Sequence, residues 1–390
     1  MLAPKLRFKE FNDEWKKERL NKISTINPKS DNLPNKFIYI DLESVQKGIL
    51  LNKNIINKIH APSRAQRTVK LNDILFQTVR PYQQNNYFVS EVCDIPYIAS
   101  TGYALIRTNQ DPYFIYTLMH RQDFLNKVLD MCTGTSFPAI NSNDLGTIEI
   151  KIPLKKEQEK ISELFSLLNK KIELQQRKIE VLKMYKKGLE SKVFNTLSKS
   201  TNNKIITEIA DTFIGLVTTM TEHYVENGVR LIRNSDIKEN QFIFNDNIFL
   251  DENFANKNCN RKHIIGDIVT VHTGDVGTSA IIDEKLNGSI GFATIVTRVK
   301  NNEIANNKYI CWYYNSSIYK NIIKNIITGD GRNNLNMKDF NKIKIPLPSI
   351  EQQEKISNLF ENIKSKIVSC EKEYKVLIKY KKYLLQQMFI

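Results

Sequence analysis

The stretch QEKISELFSLL, residues 158–168, decides the fold because it returns as QEKISNLFENI at residues 353–363. The match extends from Thr133–Phe194 to Thr328–Phe389 without insertion or deletion, at a constant offset of 195 residues (133 to 328, 194 to 389), half of the 390-residue chain. Solenoid repeats are much shorter, at about 20 to 50 residues. The sequence therefore predicts two duplicated halves, each a globular piece followed by the same helical piece.

Both repeated helices carry an apolar heptad pattern with alternating four-and-three spacing, and a lysine interrupts both copies, at Lys186 and Lys381. Prolines precede each helix. The pattern favours two long coiled-coil helices, most simply packed antiparallel on each other, although heptads alone do not identify the partner and pairing with another chain remains open. The predicted seam is Ile161, Phe165, Leu168, Ile172, Ile179, Leu182, Leu189, Ile356, Phe360, Ile363, Ile367, Tyr374, Leu377 and Leu384.

The globular pieces have the pattern of mixed α/β (α+β) domains. Short apolar runs at 37–40, 74–76 and 104–106 predict strands, with counterparts at 230–232, 267–271 and 293–296. Aromatic-rich segments at 113–129 and 308–326 predict one helix in each half, and the polar residues 198–203 predict a linker. We divide the chain into a first globular domain (1–151), a central helix (152–197), a second globular domain (198–345) and a distal helix (346–390), with pseudo-two-fold duplication.

The amino-acid composition limits the kinds of protein that this chain can be. The net charge of +15 attracts polyanions, and nucleic acid is the expected partner, although a lysine-rich genome would give a similar composition. The sequence has no run of 18 apolar residues, so it predicts no membrane span. Its N-terminus also lacks the apolar stretch of a secretory signal. Five scattered cysteines favour reduced thiols. We therefore expect a cytoplasmic protein without a membrane partner.

The repeated segment resembles the specificity subunit of type I restriction-modification systems over nearly the whole chain. The resemblance rests on an ordered set that occurs twice: Thr133-Gly134, a strand ending in Ile-x-Ile and proline, Gln-Glu-Lys-Ile, and a long helix. Asn72-Asp73-Ile74-Leu75-Phe76 and Gly266-Asp267-Ile268-Val269 add to it. Each motif is weak alone, but the order and spacing make the set specific.

The resemblance implies a division of labour. Each globular piece would be a target recognition domain that reads one half of a split site in double-stranded DNA, and the helices would form an antiparallel spacer. Methyltransferase (M) subunits, two in number, would dock on that spacer, and restriction (R) subunits would join through the complex. A flipped adenine in each half-site would enter the partner's active site. S-adenosylmethionine, ATP and Mg would be cofactors of the partner subunits, with none on this chain.

Residue type and loop position select the candidate DNA contacts, since arginine, glutamine and asparagine offer paired donors and acceptors to bases and phosphates. A solvated surface charge or a turn residue is the competing interpretation for each. The candidates in the first domain are Arg64, Gln66, Arg67, Gln77, Thr78, Arg80, Gln83, Gln84 and Ser136. Those in the second are Arg233, Asn234, Arg261, Lys262, His272, Thr273, Arg332 and Asn333.

Catalysis is not expected in this chain. An amino-methyltransferase needs a glycine-rich cofactor loop and a Pro-Pro motif, and no Pro-Pro occurs. The segment Gly274–Ser279 resembles a phosphate loop but lacks its lysine, so a turn between strands is favoured. The five histidines lack metal-ligand spacing, and no metal site is predicted. The alternative function is a non-catalytic coiled-coil scaffold whose basic domains bind RNA or protein.

Overall fold

The structure is a computed structural model that describes residues 3–200, 202–327 and 334–390. It contains two compact units, one formed by Met1–Gln176 with Lys372–Ile390 and the other by Arg177–Glu371. Each unit therefore holds one globular piece with parts of both long helices. None of the helices in the described ranges is long and apolar enough to cross a membrane.

The helices include two long ones, α5 and α11, which contain the two repeated heptad segments. The bounds are α1 Leu20–Ile23, α2 Pro112–Leu118, α3 Gln122–Asp130, α4 Ser142–Thr147, α5 Lys155–Ser200, α6 Ile206–Ile209, α7 Glu252–Lys257, α8 Asn307–Tyr314, α9 Ser317–Ile326, α10 Met337–Phe340 and α11 Ile350–Gln387.

The strands of the first unit form small sheets. They are β1 Lys16–Arg19, β2 Ser24–Ile26, β3 Lys36–Ile40, β4 Val45–Gln46, β5 Ile49–Leu50, β6 Asn54–Asn57, β7 Ala65–Thr68, β8 Ile74–Gln77, β9 Tyr87–Phe88, β10 Tyr97–Ser100, β11 Tyr103–Thr108 and β12 Glu149–Ile152. Two four-stranded sheets have the orders β6-β3-β10-β7 and β2-β11-β8-β9, while β1 pairs with β12 and β4 with β5. The pair β3 and β10 is parallel, with Ile38 opposite Tyr97.

The second unit repeats most of this topology. Its strands are β13 Asn203–Ile205, β14 Ala210–Ile214, β15 Tyr224–Val225, β16 Val229–Arg233, β17 Ile237–Lys238, β18 Gln241–Phe242, β19 Phe249–Leu250, β20 Ile268–Val271, β21 Ser279–Ile281, β22 Ile290–Phe292, β23 Thr294–Val299 and β24 Lys344–Pro346. The sheet β14-β23-β20-β21 corresponds to β2-β11-β8-β9. In the sheet β15-β19-β16-β22, the strands β19, β16 and β22 correspond to β6, β3 and β10, and β16 and β22 are the parallel pair. The fourth strand differs, because β15 pairs with β19 at one edge, whereas β7 pairs with β10 at the other. The predicted duplication of α+β domains is confirmed.

The long helices pack antiparallel within each unit. In the first unit, the rings of Phe165 and Phe389 lie 5.7 Å apart, and Gln175 donates to Glu373 at 3.0 Å. In the second, the rings of Phe194 and Phe360 lie 5.8 Å apart, and Lys183 pairs with Glu371 at 2.6 Å. Numbers therefore rise along one helix as they fall along the other. All fourteen residues predicted for the seam are buried or half-buried.

A fully buried aromatic cluster closes the core of each unit around a helix end. Phe389 contacts Trp15, Phe114 and Phe165 in the first unit. Phe194 contacts Tyr309, Tyr313 and Phe360 in the second. Phe389, Phe114 and Phe165 are the repeat counterparts of Phe194, Tyr309 and Phe360. The helix that follows the first globular piece thus ends in the second core, and the other helix ends in the first core.

The repeated glutamine of the Gln-Glu-Lys-Ile motif fixes each helix to its globular piece. Gln158 accepts from the Asp111 amide at 3.0 Å and donates to the Pro153 carbonyl at 2.9 Å. Gln353 makes the same bonds to the Asn306 amide and the Pro348 carbonyl, both at 2.8 Å. Both glutamines are fully buried. Since a buried amide must find partners, these bonds account for an identical residue at both places.

Two predictions about element bounds are wrong. Each predicted aromatic-rich helix is a pair of helices, α2 with α3 and α8 with α9. In the second unit the first helix ends at Tyr314, and Ser316 caps the next, since its hydroxyl accepts from the Tyr319 amide at 3.3 Å. The predicted linker is also shorter, because α5 continues to Ser200. Burial of Phe194 and a bond from the Ser198 hydroxyl to the Phe194 carbonyl at 2.6 Å hold its last turns.

Candidate nucleic-acid interface

In the first domain, Gln77 organises the loop that follows β8. Its side chain is fully buried, donates to the Val79 carbonyl and to Gln83, both at 2.8 Å, and accepts from the Asn85 amide at 3.0 Å. The loop then makes a tight turn in which Arg80 and Gln84 have left-handed backbones, with φ of 54° and 52°. Non-glycine residues take this conformation rarely, and it clusters at functional sites.

A second loop, residues 133–140, closes on the first. The Arg80 amide donates to the Pro138 carbonyl at 2.8 Å, and the Ile140 amide to the Thr78 carbonyl at 3.1 Å. The Arg80 guanidinium lies 4.3 Å from the ring centroid of Phe137, whose side chain is 60% exposed. Ser136 is exposed beside it. The predicted contact Arg80 therefore lies against the exposed ring of Phe137, and the predicted contact Ser136 is the residue next to that phenylalanine in the sequence.

The turn between β10 and β11 connects Arg64 to the same region. The Thr101 amide donates to the Arg64 carbonyl at 2.9 Å, and the Thr78 amide donates to the Gly102 carbonyl at 3.0 Å. Arg64 and Gln66 are exposed, and the Gln66 side chain donates to the Ser63 carbonyl at 2.7 Å. Loop geometry thus brings the segment around Arg64 and the loop around Arg80 together.

Three predicted contacts in this domain have internal roles. Gln77 is fully buried, and Thr78 is buried with its hydroxyl donating to the Gly102 carbonyl at 2.8 Å, so both side chains are held within the domain. Arg67 is half-buried, its Nε is buried without a hydrogen-bond partner among the described residues, and burial lowers its pKa. Gln83 stays exposed but holds Gln77, and Gln84 is half-buried.

The second domain builds a corresponding junction around Asn234. Its side chain accepts from the His272 amide at 2.9 Å and donates to the Ala293 carbonyl at 3.1 Å. The Leu335 amide donates to the His272 carbonyl at 3.0 Å, as Ile140 does to Thr78 in the first domain. The Thr273 hydroxyl donates to Asn334 at 2.8 Å. The loop after β20 and the segment at 334–335 therefore meet as their counterparts do.

Three cations among the predicted contacts of the second domain, Arg233, Arg261 and Lys262, are bonded within the protein. Arg233 pairs with Asp236 at 3.3 Å and Asp246 at 3.4 Å. Arg261 donates to the Ile214 carbonyl at 2.6 Å, and Lys262 donates to Asn256 at 2.7 Å. Burial lowers the pKa of His272, which keeps its ring neutral near pH 7. The predicted contacts Arg332 and Asn333 lie outside the described residues.

The sequence did not select Phe137, Asn334 or Tyr82 as contacts. The structure leaves the Tyr82 ring 51% exposed, two residues after Arg80, whereas Tyr87 and Tyr103 are buried in the core. The signal for Phe137 was present, because it follows Ser136 within the Thr-Gly loop. The repeat gave no reason to select Asn334, because the equivalent residue in the first domain is Ala139, which offers no side-chain donor or acceptor.

The segment Gly274–Ser279 is a turn between the antiparallel strands β20 and β21, as predicted. Its ends are joined by bonds from the Val271 amide to the Thr278 carbonyl at 2.8 Å and from the Gly277 amide to the Val271 carbonyl at 3.0 Å. Gly274 has a φ of 101°, which glycine adopts without strain. Across residues 3–200, 202–327 and 334–390, no group of three His, Cys, Asp or Glu side chains is arranged to hold a metal ion.

Comparison with known proteins agrees with this duplicated architecture. The profile of the type I restriction modification DNA specificity domain matches residues 12–184 and again 204–380, so the chain belongs to that family. The MjaVIII specificity subunit of a type I restriction enzyme from Methanocaldococcus jannaschii is 24% identical over 313 residues, covering 74% of this chain and 72% of that protein. The HindI specificity subunit from Haemophilus influenzae is 28% identical over 169 residues, 41% of this chain and only 36% of that protein.

Two solved structures share the fold. The S subunit of a type I restriction-modification system from M. genitalium matches with a TM-score of 0.61 at 18% identity and covers 100% of this chain and 99% of its own. A chain from a study of assembly and conformational transition of the type I R-M system matches with a TM-score of 0.60 at 20% identity and covers 96% and 97%. At these identities the likeness supports the fold alone.

Proposed function

We propose that this chain is the specificity subunit of a type I restriction-modification complex and that each globular domain reads one half of a bipartite DNA site. The observation that carries the proposal is the pair of equivalent loop junctions at Thr78 and His272. The loops that form them differ in sequence between the two domains, whereas the sheets beneath them are similar. A common frame with different loops suits the reading of two different short sequences, because groove contacts specify bases. The family match does not favour an RNA- or protein-binding scaffold.

Charge and residue type support duplex DNA as the ligand. The net charge of +15 gives a sequence-independent attraction to phosphates, and affinity should fall steeply as salt rises. On the first domain, Arg64, Arg80, Ser136 and the exposed rings of Tyr82 and Phe137 offer donors and stacking surfaces. On the second, His272, Thr273 and Asn334 take the corresponding positions. We assign Gln77, Thr78 and Asn234 the role of positioning these loops.

Exposed residues of the helices support docking of methyltransferase subunits. Val181 and Tyr185 are 54% and 57% exposed on α5, and their identical repeat counterparts Val376 and Tyr380 are 63% and 50% exposed on α11. Each tyrosine follows its valine at the i+4 position, so each pair lies on one helix face. Core packing cannot account for identical apolar residues that face solvent. Two equal patches imply two docked subunits, one per patch.

Catalysis then belongs to the partners. In this proposal the chain takes no cofactor of its own, and S-adenosylmethionine, ATP and Mg bind to the methyltransferase and restriction subunits. Restriction subunits join through the methyltransferases. The proposed role of this chain is to select the site and to hold the partners.

The test of DNA reading uses the complex reconstituted with its methyltransferase subunit. Methylome sequencing of cells that carry both genes should yield one bipartite motif. Moving one half-site by two base pairs should then reduce methylation by about a hundredfold, since a fixed frame cannot follow the displaced bases. A complex that is indifferent to spacing, or that prefers single-stranded RNA, contradicts the proposal.

The docking patches can be tested separately by native mass spectrometry. Val181→Asp and Val376→Asp should each remove one methyltransferase subunit, and the double variant should remove both. Leu167→Asp is the matched control, since Leu167 is 64% exposed on α5 but its repeat counterpart is Asn362. Full assembly of the double variant, or equal loss with the control, contradicts docking at these patches while leaving DNA reading untouched.

A further inference from the structure

A lysine-rich pocket of about 630 Å³ lies in the second unit, between α5, α9, α11 and the turn from β17 to β18. Its lysines are Lys183, Lys186, Lys187, Lys320, Lys324 and Lys364, and its carboxylates are Glu190, Glu239 and Glu371. Six ammonium groups against three carboxylates leave a net charge of +3 in one concave site. The pocket is not part of the loop surface proposed to read DNA.

Four of the lysines are bonded within the pocket. Lys183 pairs with Glu371 at 2.6 Å, Lys186 with Glu190 at 3.6 Å, and Lys320 with Glu239. Lys364 donates to the Asn240 carbonyl at 2.7 Å. Among the residues that the structure describes, no carboxylate lies within ion-pair distance of Lys187 or Lys324. These two ammonium groups are therefore available to an incoming anion.

Trp312 forms an aromatic wall of the pocket. Its ring is 1% exposed, and its Nε1 donates to Glu361 at 3.1 Å. The Lys186 ammonium lies 5.0 Å from the ring centroid, within cation–π range. An anion that draws Lys186 away from the ring would change the surroundings of the indole, so Trp312 is a built-in reporter of occupancy.

The positive charge is a property of the second unit and is not repeated in the first. Only Lys186 and Lys187 have lysine counterparts in the repeat, at Lys381 and Lys382. Lys183, Lys320, Lys324 and Lys364 correspond to Ile378, Leu125, Leu129 and Asn169 in that order. The second unit therefore has four cations at places where the first unit has neutral side chains.

We propose that this pocket binds a phosphate chain carrying three or more negative charges. Its volume lies in the range of small-molecule sites, about 300 to 1,000 Å³. Lysine binds phosphate as a mobile point charge, which suits an extended anion better than a planar carboxylate. A free nucleoside triphosphate and a stretch of polynucleotide backbone share this chemistry.

The test is a calorimetric titration of the full chain with sodium tripolyphosphate at fixed ionic strength, followed in parallel by tryptophan fluorescence. Saturable binding with a change in emission is expected. Lys187→Gln and Lys324→Gln should each weaken binding about tenfold, a loss of about 1.4 kcal/mol. Lys382→Gln is the matched control, because Lys382 is the exposed repeat counterpart of Lys187, and it should change affinity less than twofold.

Competition distinguishes the two sources of phosphate. Displacement of tripolyphosphate by a short duplex, with weaker duplex binding by Lys324→Gln, identifies the DNA backbone as the occupant. Displacement by a nucleoside triphosphate alone identifies a free anion. Absence of saturable binding to the wild-type chain, or an equal loss with Lys382→Gln, overturns the proposal.

Discussion

The first and second units fix their long helices with the same glutamine but with different neighbours. Gln158 and Gln353 make equivalent buried bonds, whereas the residue before each differs. Glu157 is buried and accepts two bonds from Arg7, at 2.8 and 2.7 Å, while its counterpart Gln352 is exposed. Both units therefore need the bonded glutamine amide at the start of the long helix. The ion pair between Arg7 and Glu157 is an addition of the N-terminal segment to the first unit.

The largest expected effect is a loss of stability that differs between equivalent positions of the two helix seams. Leu168 and Ile363 are repeat counterparts, but Leu168 is 7% exposed and Ile363 is half-buried. Leu168→Asp places an unpaired carboxylate in the core and should lower the free energy of unfolding by about 4 kcal/mol, with a smaller loss for Ile363→Asp. Chemical denaturation of each variant measures both, and equal losses contradict the difference in burial.

The next effect sharpens the comparison at the anchors. Glu157→Gln leaves the Arg7 guanidinium, 14% exposed, without its carboxylate and should cost about 3 kcal/mol of stability. Gln352→Glu is the matched control and should change stability by less than about 0.5 kcal/mol, since that side chain faces solvent. Urea denaturation distinguishes them. A neutral result for Glu157→Gln would mean that the N-terminal segment contributes nothing to the first anchor.

A smaller expected effect is the loss of folding stability at acidic pH. Burial lowers the pKa of His263 in the second unit to about 4, and burial with the nearby Lys381 charge lowers that of His120 in the first unit to about 4. An unfolded histidine, with a pKa of about 6.5, binds its proton first, so this stability is present above pH 6.5 and is lost as pH falls towards 4. His263→Gln should remove about 2 kcal/mol of the stability difference between pH 7 and pH 5. If His263→Gln leaves the stability difference between pH 7 and pH 5 unchanged, the buried His263 ring is not neutral in the folded protein.

The smallest effect compares the recognition loops. Arg80→Ala should weaken binding of the cognate duplex about tenfold, because Arg80 is bonded to no carboxylate in the described part of the chain. Arg233→Ala should change it less than threefold, because Asp236 and Asp246 already hold that guanidinium. Fluorescence anisotropy at fixed salt measures both. A larger loss for Arg233→Ala would show that its ion pairs open on binding.

The repeat and the helices could be predicted because their signals are local: heptads, a proline start and a constant offset. Several strands were also predictable, as at residues 37–40 and 74–76, since short apolar runs bounded by turn residues favour strands. The loops could not be predicted at the level of side chains. Gln77 has the residue type of a base contact, yet its place at the end of β8 buries it, and that place depends on non-local pairing with Tyr103.

The break between α8 and α9 was missed for a related reason. Ser316 and Asn315 interrupt an otherwise apolar helical pattern, and Asn315 bonds across to Ser279 at 3.0 and 2.9 Å. Helical periodicity resumes after the break, so the pattern alone favours one helix. Likewise, the pairing of Arg7 with Glu157 joins residues far apart in sequence and leaves no periodic signal.

The aromatic cluster around Phe389 has a consequence for the order of events during synthesis. Trp15, Phe114 and Phe165 leave the ribosome well before Phe389, whose ring completes their core. Domains usually fold in the order of translation. Here the first domain has to wait, with apolar rings exposed, until the distal helix and Phe389 have been made. The second domain closes around Phe194 sooner, so the half that is translated first is completed last.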